Sequence, residues 1–69
     1  MKMIEILALM ANAAMTGNKN DLPDCFNHPV LGTYASDLYD AIDDNCILEI
    51  FQIIENAAYA AKMEYPMHE

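Results

Sequence analysis

Hydrophobic residues recur through Asn45–Lys62 (NCILEIFQIIENAAYAAK) with the period of a helix. At ~100° per residue, Ile47, Ile50, Ile54, Ala57, Ala58 and Ala61 fall on one side. Glu49, Gln52, Glu55, Asn56, Tyr59 and Lys62 fall on the other. Phe51 and Ile53 widen the apolar arc to roughly half the circumference, beyond the ~100° stripe of an ordinary surface helix. The arc is bulky at its start and Ala-rich at its end, where a neighbouring helix can approach closely. This segment predicts a helix over about 45–64, the spine around which the remaining chain wraps.

Upstream, the same period predicts a helix over about 2–16. Met3, Ile4, Ile6, Leu7, Met10, Ala11 and Ala14 share its inner face, and Leu9 interrupts the polar side. Gly17 follows where a left-handed cap belongs. A further helix is expected over about 33–42, capped by Thr33, with Tyr34, Leu38, Ala41 and Ile42 inward and Ser36, Asp37, Asp40 and Asp43 outward. Its apolar face is offset from that of the spine by roughly a right angle. The chain must therefore break near Asp43-Asp44-Asn45, residues that suit caps better than helix interiors. Pro66 is expected to end the last helix.

The connection 17–32 is long for so small a domain, yet Leu22, Cys25, Phe26, Val30 and Leu31 make it apolar. Asp21 is placed to cap a short turn over 22–26, with Pro23 tolerated in its first turn. Phe26 and Leu31 are expected to plug the bundle. The elements together predict an all-α fold: one domain spanning 1–69, a small three-helix bundle with a structured loop between helices 1 and 2. Sixty-nine residues with a hydrophobic fraction of 55% leave little interior for such wide apolar faces, which points to self-association as a homo-oligomer.

Charge narrows the partners. Eleven acids face three lysines and no arginine, for a formal charge of −8, and 20–61 holds eight acids with no lysine or arginine. Such a chain repels phosphate backbones and anionic lipid surfaces, so direct nucleic-acid and membrane binding are not expected. A protein partner with a basic surface fits, although acidity also keeps a small apolar protein soluble. The start of the chain loosely mimics a secretory signal, with Ala11-Asn12-Ala13 as its cleavage site. Glu5 interrupts the apolar run and a single lysine precedes it, so the segment reads as the first helix, with a cytoplasmic location expected.

Candidate chemistry is sparse. Cys25-x-x-His28 has zinc-like spacing that Cys46 and His68 would have to complete, but these are single residues rather than a paired knuckle. Two thiols in a cytoplasmic protein stay reduced, against a Cys25–Cys46 disulfide. The acid run from Asp40 lacks the Gly and Glu of a calcium loop at the sixth and twelfth positions. No Gly-rich phosphate loop or supported nucleophile stands out. Neither enzymatic activity nor a metal or cofactor is expected.

By elimination, the expected function is that of an acidic protein-binding module, an inhibitor or regulator occupying a basic, nucleic-acid-binding surface of another protein. Small phage-type inhibitors of host nucleases or CRISPR complexes are the analogy, on size, acidity and the absence of an active site alone. The alternative is a small oligomerisation or assembly subunit. For the first reading the partner-binding residues are Asp37, Asp40, Asp43, Asp44 and Glu49, an acidic ridge, with Tyr39 and Tyr59 as aromatic anchors.

Overall fold

A computed structural model describes residues 2–68, with side chains described over 2–63. The order is α1 (Met3–Thr16), a single 3-10 turn (Leu22–Cys25), α2 (Gly32–Asp43) and α3 (Ile47–His68). The fold is an all-helical three-helix arrangement, and the described residues contain no strand.

Local chemistry sets the helix ends. The Glu5 carboxylate accepts from the Lys2 backbone N–H at 2.9 Å, so an acid settles an orphan donor at the positive end of α1. Gly17 closes α1 in the left-handed region (φ 75°), its N–H bonded to the Ala13 carbonyl, the conformation glycine adopts without a Cβ penalty. Asn45 does the same for α2, at φ 56°. Asn45 N–H donates to the Ile42 carbonyl and Cys46 N–H to the Ala41 carbonyl, the paired bonds of a Schellman cap. The break expected near Asp43-Asp44-Asn45 is therefore present, and α3 starts two residues later than Asn45.

Lys19, just past the α1 cap, forms an ion pair with Asp43 at the last residue of α2. The carboxyl ends of α1 and α2 therefore adjoin. The short turn 44–46 then sends α3 back antiparallel to both.

The connection belongs to the core. Of the six largest fully buried side chains among the described residues, Leu22, Cys25 and Leu31 come from it, and Ile6, Met10 and Leu38 come from the helices. Full burial of an aliphatic side chain of this size stabilises by about 1.5–3 kcal/mol, so these residues anchor the segment. Phe26 is not the expected plug. It lies at the surface, edge-on to Tyr39 with ring centroids 5.8 Å apart, and Leu22 fills the interior instead.

The α2 start also differs from expectation. Leu31, not Thr33, occupies the cap position. His28 supplies the cap chemistry: its Nδ1 accepts from the Val30 and Leu31 N–H groups at 3.1 and 3.0 Å. Its carbonyl accepts from Gly32 N–H at 2.9 Å. With these donors satisfied, the helix begins one residue before Thr33. His28→Ala is expected to cost about 1–2 kcal/mol, the usual range for a lost cap, in urea-unfolding curves. His28→Asn, which places an amide oxygen near the position of Nδ1, should recover most of it. Equal losses for the two variants would show that the imidazole acts by packing rather than as an acceptor.

The helical phases are narrower than the sequence arcs. In α3 the buried row is Ile50, Ala57 and Ala61, flanked by half-buried Ile53 and Ile54; Ile47, Phe51 and Ala58 are exposed. In α1, Ile4 is exposed, while Leu9, which was expected outside, is half-buried against the core. In α2, Ala35 joins Leu38 and Ala41 inside, and Tyr34 and Ile42 are half-buried. Two neighbours cover only part of a half-circumference arc, so the rest stays in solvent. α3 also continues past Pro66 to His68. Proline's φ of about −65° is itself helical, and what it removes is one rung of the hydrogen-bond ladder.

Candidate functional site

The acidic residues singled out from the sequence separate into two environments. Asp37, Asp40 and Asp44 recur along one edge of α2 at three- and four-residue spacing, one helix face. Glu49 stands in the first turn of α3. Antiparallel packing of α2 on α3 brings all four to one open groove of about 340 Å³ between the helices. Ala41 and Ile53 also line it, with Gln52 and Asn56 on the α3 side, and no lysine or arginine contributes. The apolar pattern marks Gln52 and Asn56 only as polar positions of the spine. Their spacing from Glu49, three and seven residues, was the available signal that they share its edge.

Asp43 is not part of this groove. Its carboxylate accepts from the Lys19 ammonium, and Lys19 also lies 4.6 Å above the Tyr39 ring. The Lys19 pKa is raised, first by the hydrogen bond to Asp43, against a desolvation that lowers it, and then by the nearby carboxylate charges of Asp43 and Asp40. A raised lysine pKa contributes stability that is fully present below its unfolded value and lost as pH climbs through the folded one. Tyr39, held between Lys19 and Phe26, is a clasp joining the connection to α2. Tyr59 is exposed on α3 but does not line the groove. Four of the seven singled-out residues converge, and three do not.

The groove's electrostatics follow from its place in the fold. Asp40 and Asp44 lie at the carboxyl end of α2, where the helix dipole is already negative and no basic residue occupies the last turn. Negative charge in that last turn costs Asp40 about 0.3–1 kcal/mol, whereas Asp44 also lies just before the amino end of α3, where the dipole favours a carboxylate.

The other candidate ligands are dispersed. Cys25 is buried, and burial, followed by the nearby charges of Asp24 and Asp21, pushes its thiol pKa up, which favours the unreactive protonated form. His28 Nδ1 is occupied by two backbone donors. Cys46 is half-buried at the α2–α3 turn, and both cysteines are free thiols. The His68 side chain lies outside the described residues. No group of three His, Cys, Asp or Glu side chains suited to a metal ion occurs among the described residues. No helix among them is long and apolar enough to cross a membrane. Compared with protein-family profiles, curated proteins and solved structures, the chain matches none of them.

Proposed function

We propose that this chain is an acidic protein-binding module whose α2–α3 groove takes a basic, nucleic-acid-binding surface of a partner protein, and that it acts as an inhibitor or regulator of that partner. The observation that supports the reading is the convergence of Asp37, Asp40, Asp44 and Glu49 on one groove with no cation among its lining residues. Carboxylates on α2 follow a rise of ~1.5 Å per residue, about 4.5–6 Å between successive acids. Short aspartate side chains lose little rotamer freedom on binding, which lowers the entropic cost of association. The partner would be read through lysine and arginine side chains that otherwise meet phosphate. The alternative role, a small assembly subunit in the cytoplasm, draws on the exposed apolar side chains instead.

The test uses the immobilised chain and a lysate at low salt. Retained proteins should bind nucleic acid, and excess duplex DNA should release them. Asp37→Asn combined with Asp40→Asn removes two charges at nearly constant shape. With exposed ion pairs contributing about 0.2–1 kcal/mol each, affinity should fall roughly two- to thirtyfold, mostly through the association rate. The loss should shrink at high salt. Because Asp40 opposes the helix dipole, this double variant should be no less stable than wild type. Unchanged binding by the folded variant would remove the groove from the interface.

A further inference from the structure

The turn that opens α2 is closed by a titratable acceptor. His28 Nδ1 accepts from the Val30 and Leu31 N–H groups at 3.1 and 3.0 Å. Both bonds need the lone pair on Nδ1, so the ring is neutral and carries its proton on Nε2. They hold a segment on which the core depends. Leu31 is completely buried, and the neighbouring Gly32 lies against the Phe26 carbonyl. The His28 backbone completes the turn, its N–H bonded to the Cys25 carbonyl and its own carbonyl accepting from Gly32 N–H.

We propose that His28 is an acid-sensitive latch: protonation of Nδ1 releases the amino end of α2 and loosens the connection from the core. Imidazole is the side chain whose charge ordinarily changes between about pH 5 and 8. A proton on Nδ1 turns the acceptor into a donor, and three N–H groups would then converge on one another. It also sets a cation at the amino end of a 12-residue helix, where the dipole is already positive. The imidazolium must therefore swing out to solvent, a route open to a half-buried ring. The unfolded chain binds a proton at His28 that the latched fold excludes. Stability from the latch is thus full at neutral pH and above, and is lost as pH falls through the imidazole range.

The groups that face the ring leave this balance standing. Across the cavity that His28 lines, α1 contributes Ile6, and the connection contributes Asp24, Asn27 and Pro29. Asp24 is the ionised group of that set. It is exposed, so water screens its attraction for an imidazolium. Cys25 stays neutral over the same range, its thiol pKa pushed up by burial and then by Asp24 and Asp21. α2 meets the ring with backbone N–H groups. His28 is not among the residues of the acidic groove, and the latch does not rest on the function proposed for that groove.

Urea unfolding of the full chain from pH 8 to pH 5, wild type beside His28→Asn, tests the proposal. An asparagine amide oxygen accepts hydrogen bonds without titrating. The carboxylates and His68 are common to both chains, so the difference between them belongs to residue 28. At pH 8 the two midpoints should nearly coincide. By pH 5 the wild-type folding constant should have dropped about five- to thirtyfold relative to the variant, the equivalent of one lost cap. Nitrogen-15 shifts of the wild-type ring need no variant, and at pH 8 they should report Nδ1 without a proton. Midpoints that fall in parallel would overturn the proposal, as would an Nδ1–H tautomer of His28 at pH 8.

Discussion

Gly32→Ala should destabilise the domain by about 1–3 kcal/mol or more, the range for forcing an extra methyl group into a filled space. Helix propensity alone gives the opposite sign, because alanine is about 1 kcal/mol better than glycine inside a helix and Gly32 is the first residue of α2. The structure reverses it. A Cβ on residue 32 would stand 2.3 Å from the Phe26 carbonyl oxygen and 3.0 Å from its carbon. These are backbone atoms, so no rotamer change relieves the clash. Nor can that backbone retreat freely: Phe26 N–H bonds the Pro23 carbonyl, and His28 N–H bonds the Cys25 carbonyl. Moving it would lift Leu22 and Cys25 out of the core. Urea unfolding of Gly32→Ala beside Thr33→Ala, an exposed neighbour, checks the sign. A midpoint for Gly32→Ala at or above wild type would mean that the turn has slack.

Leu38→Ala should cost more, about 2–5 kcal/mol, as truncation of a completely buried leucine leaves a partly collapsed cavity. At roughly 0.05–0.15 kcal/mol per residue, a domain of this length has about 3–10 kcal/mol in total. The variant should therefore lose much of its far-ultraviolet helical signal at 25 °C or unfold at very low urea. Ile54→Ala offers a calibrated contrast. The apolar pattern places Ile54 at the centre of the spine's inner face, yet in the structure it is half-buried. Its truncation should cost clearly less than that of Leu38, and Gln52→Ala should stay within about ±0.5 kcal/mol. If Ile54→Ala proved as damaging as Leu38→Ala, the burial of α3 would be wrongly phased here.

Much of the secondary structure was legible in the residues themselves. Gly17 and the Asp43-Asp44-Asn45 run mark helix ends because their backbone preferences act within a few residues of chain. The 3.6-residue period of the apolar positions likewise declares three helices whatever they pack against. A structured connection was legible too, since Leu22, Cys25 and Leu31 are costly to leave in water. Which of its apolar residues enter the core was not: Phe26 and Leu22 are equivalent in pattern, and the direction of the backbone after Cys25 separates them. The early start of α2 was equally hidden, because histidine is an uncommon cap and its Nδ1 becomes an acceptor only in this turn.

The acidic site divides along the same line. Asp37, Asp40 and Asp44 share a face by spacing alone, so that edge could be read from the chain. Their meeting with Glu49, and the withdrawal of Asp43 to Lys19, required the antiparallel return of α3 and the juxtaposed ends of α1 and α2. By itself the sequence determined what depends on nearest neighbours: helix type, caps, the break, and the overall charge. Only the tertiary structure decided which third of each wide apolar arc is covered, which acids stand alone, and why residue 32 has no room for a methyl group. The physical reason is that hydrophobic burial and Coulomb attraction have no preferred sequence separation, so their outcome is fixed by where distant segments pack.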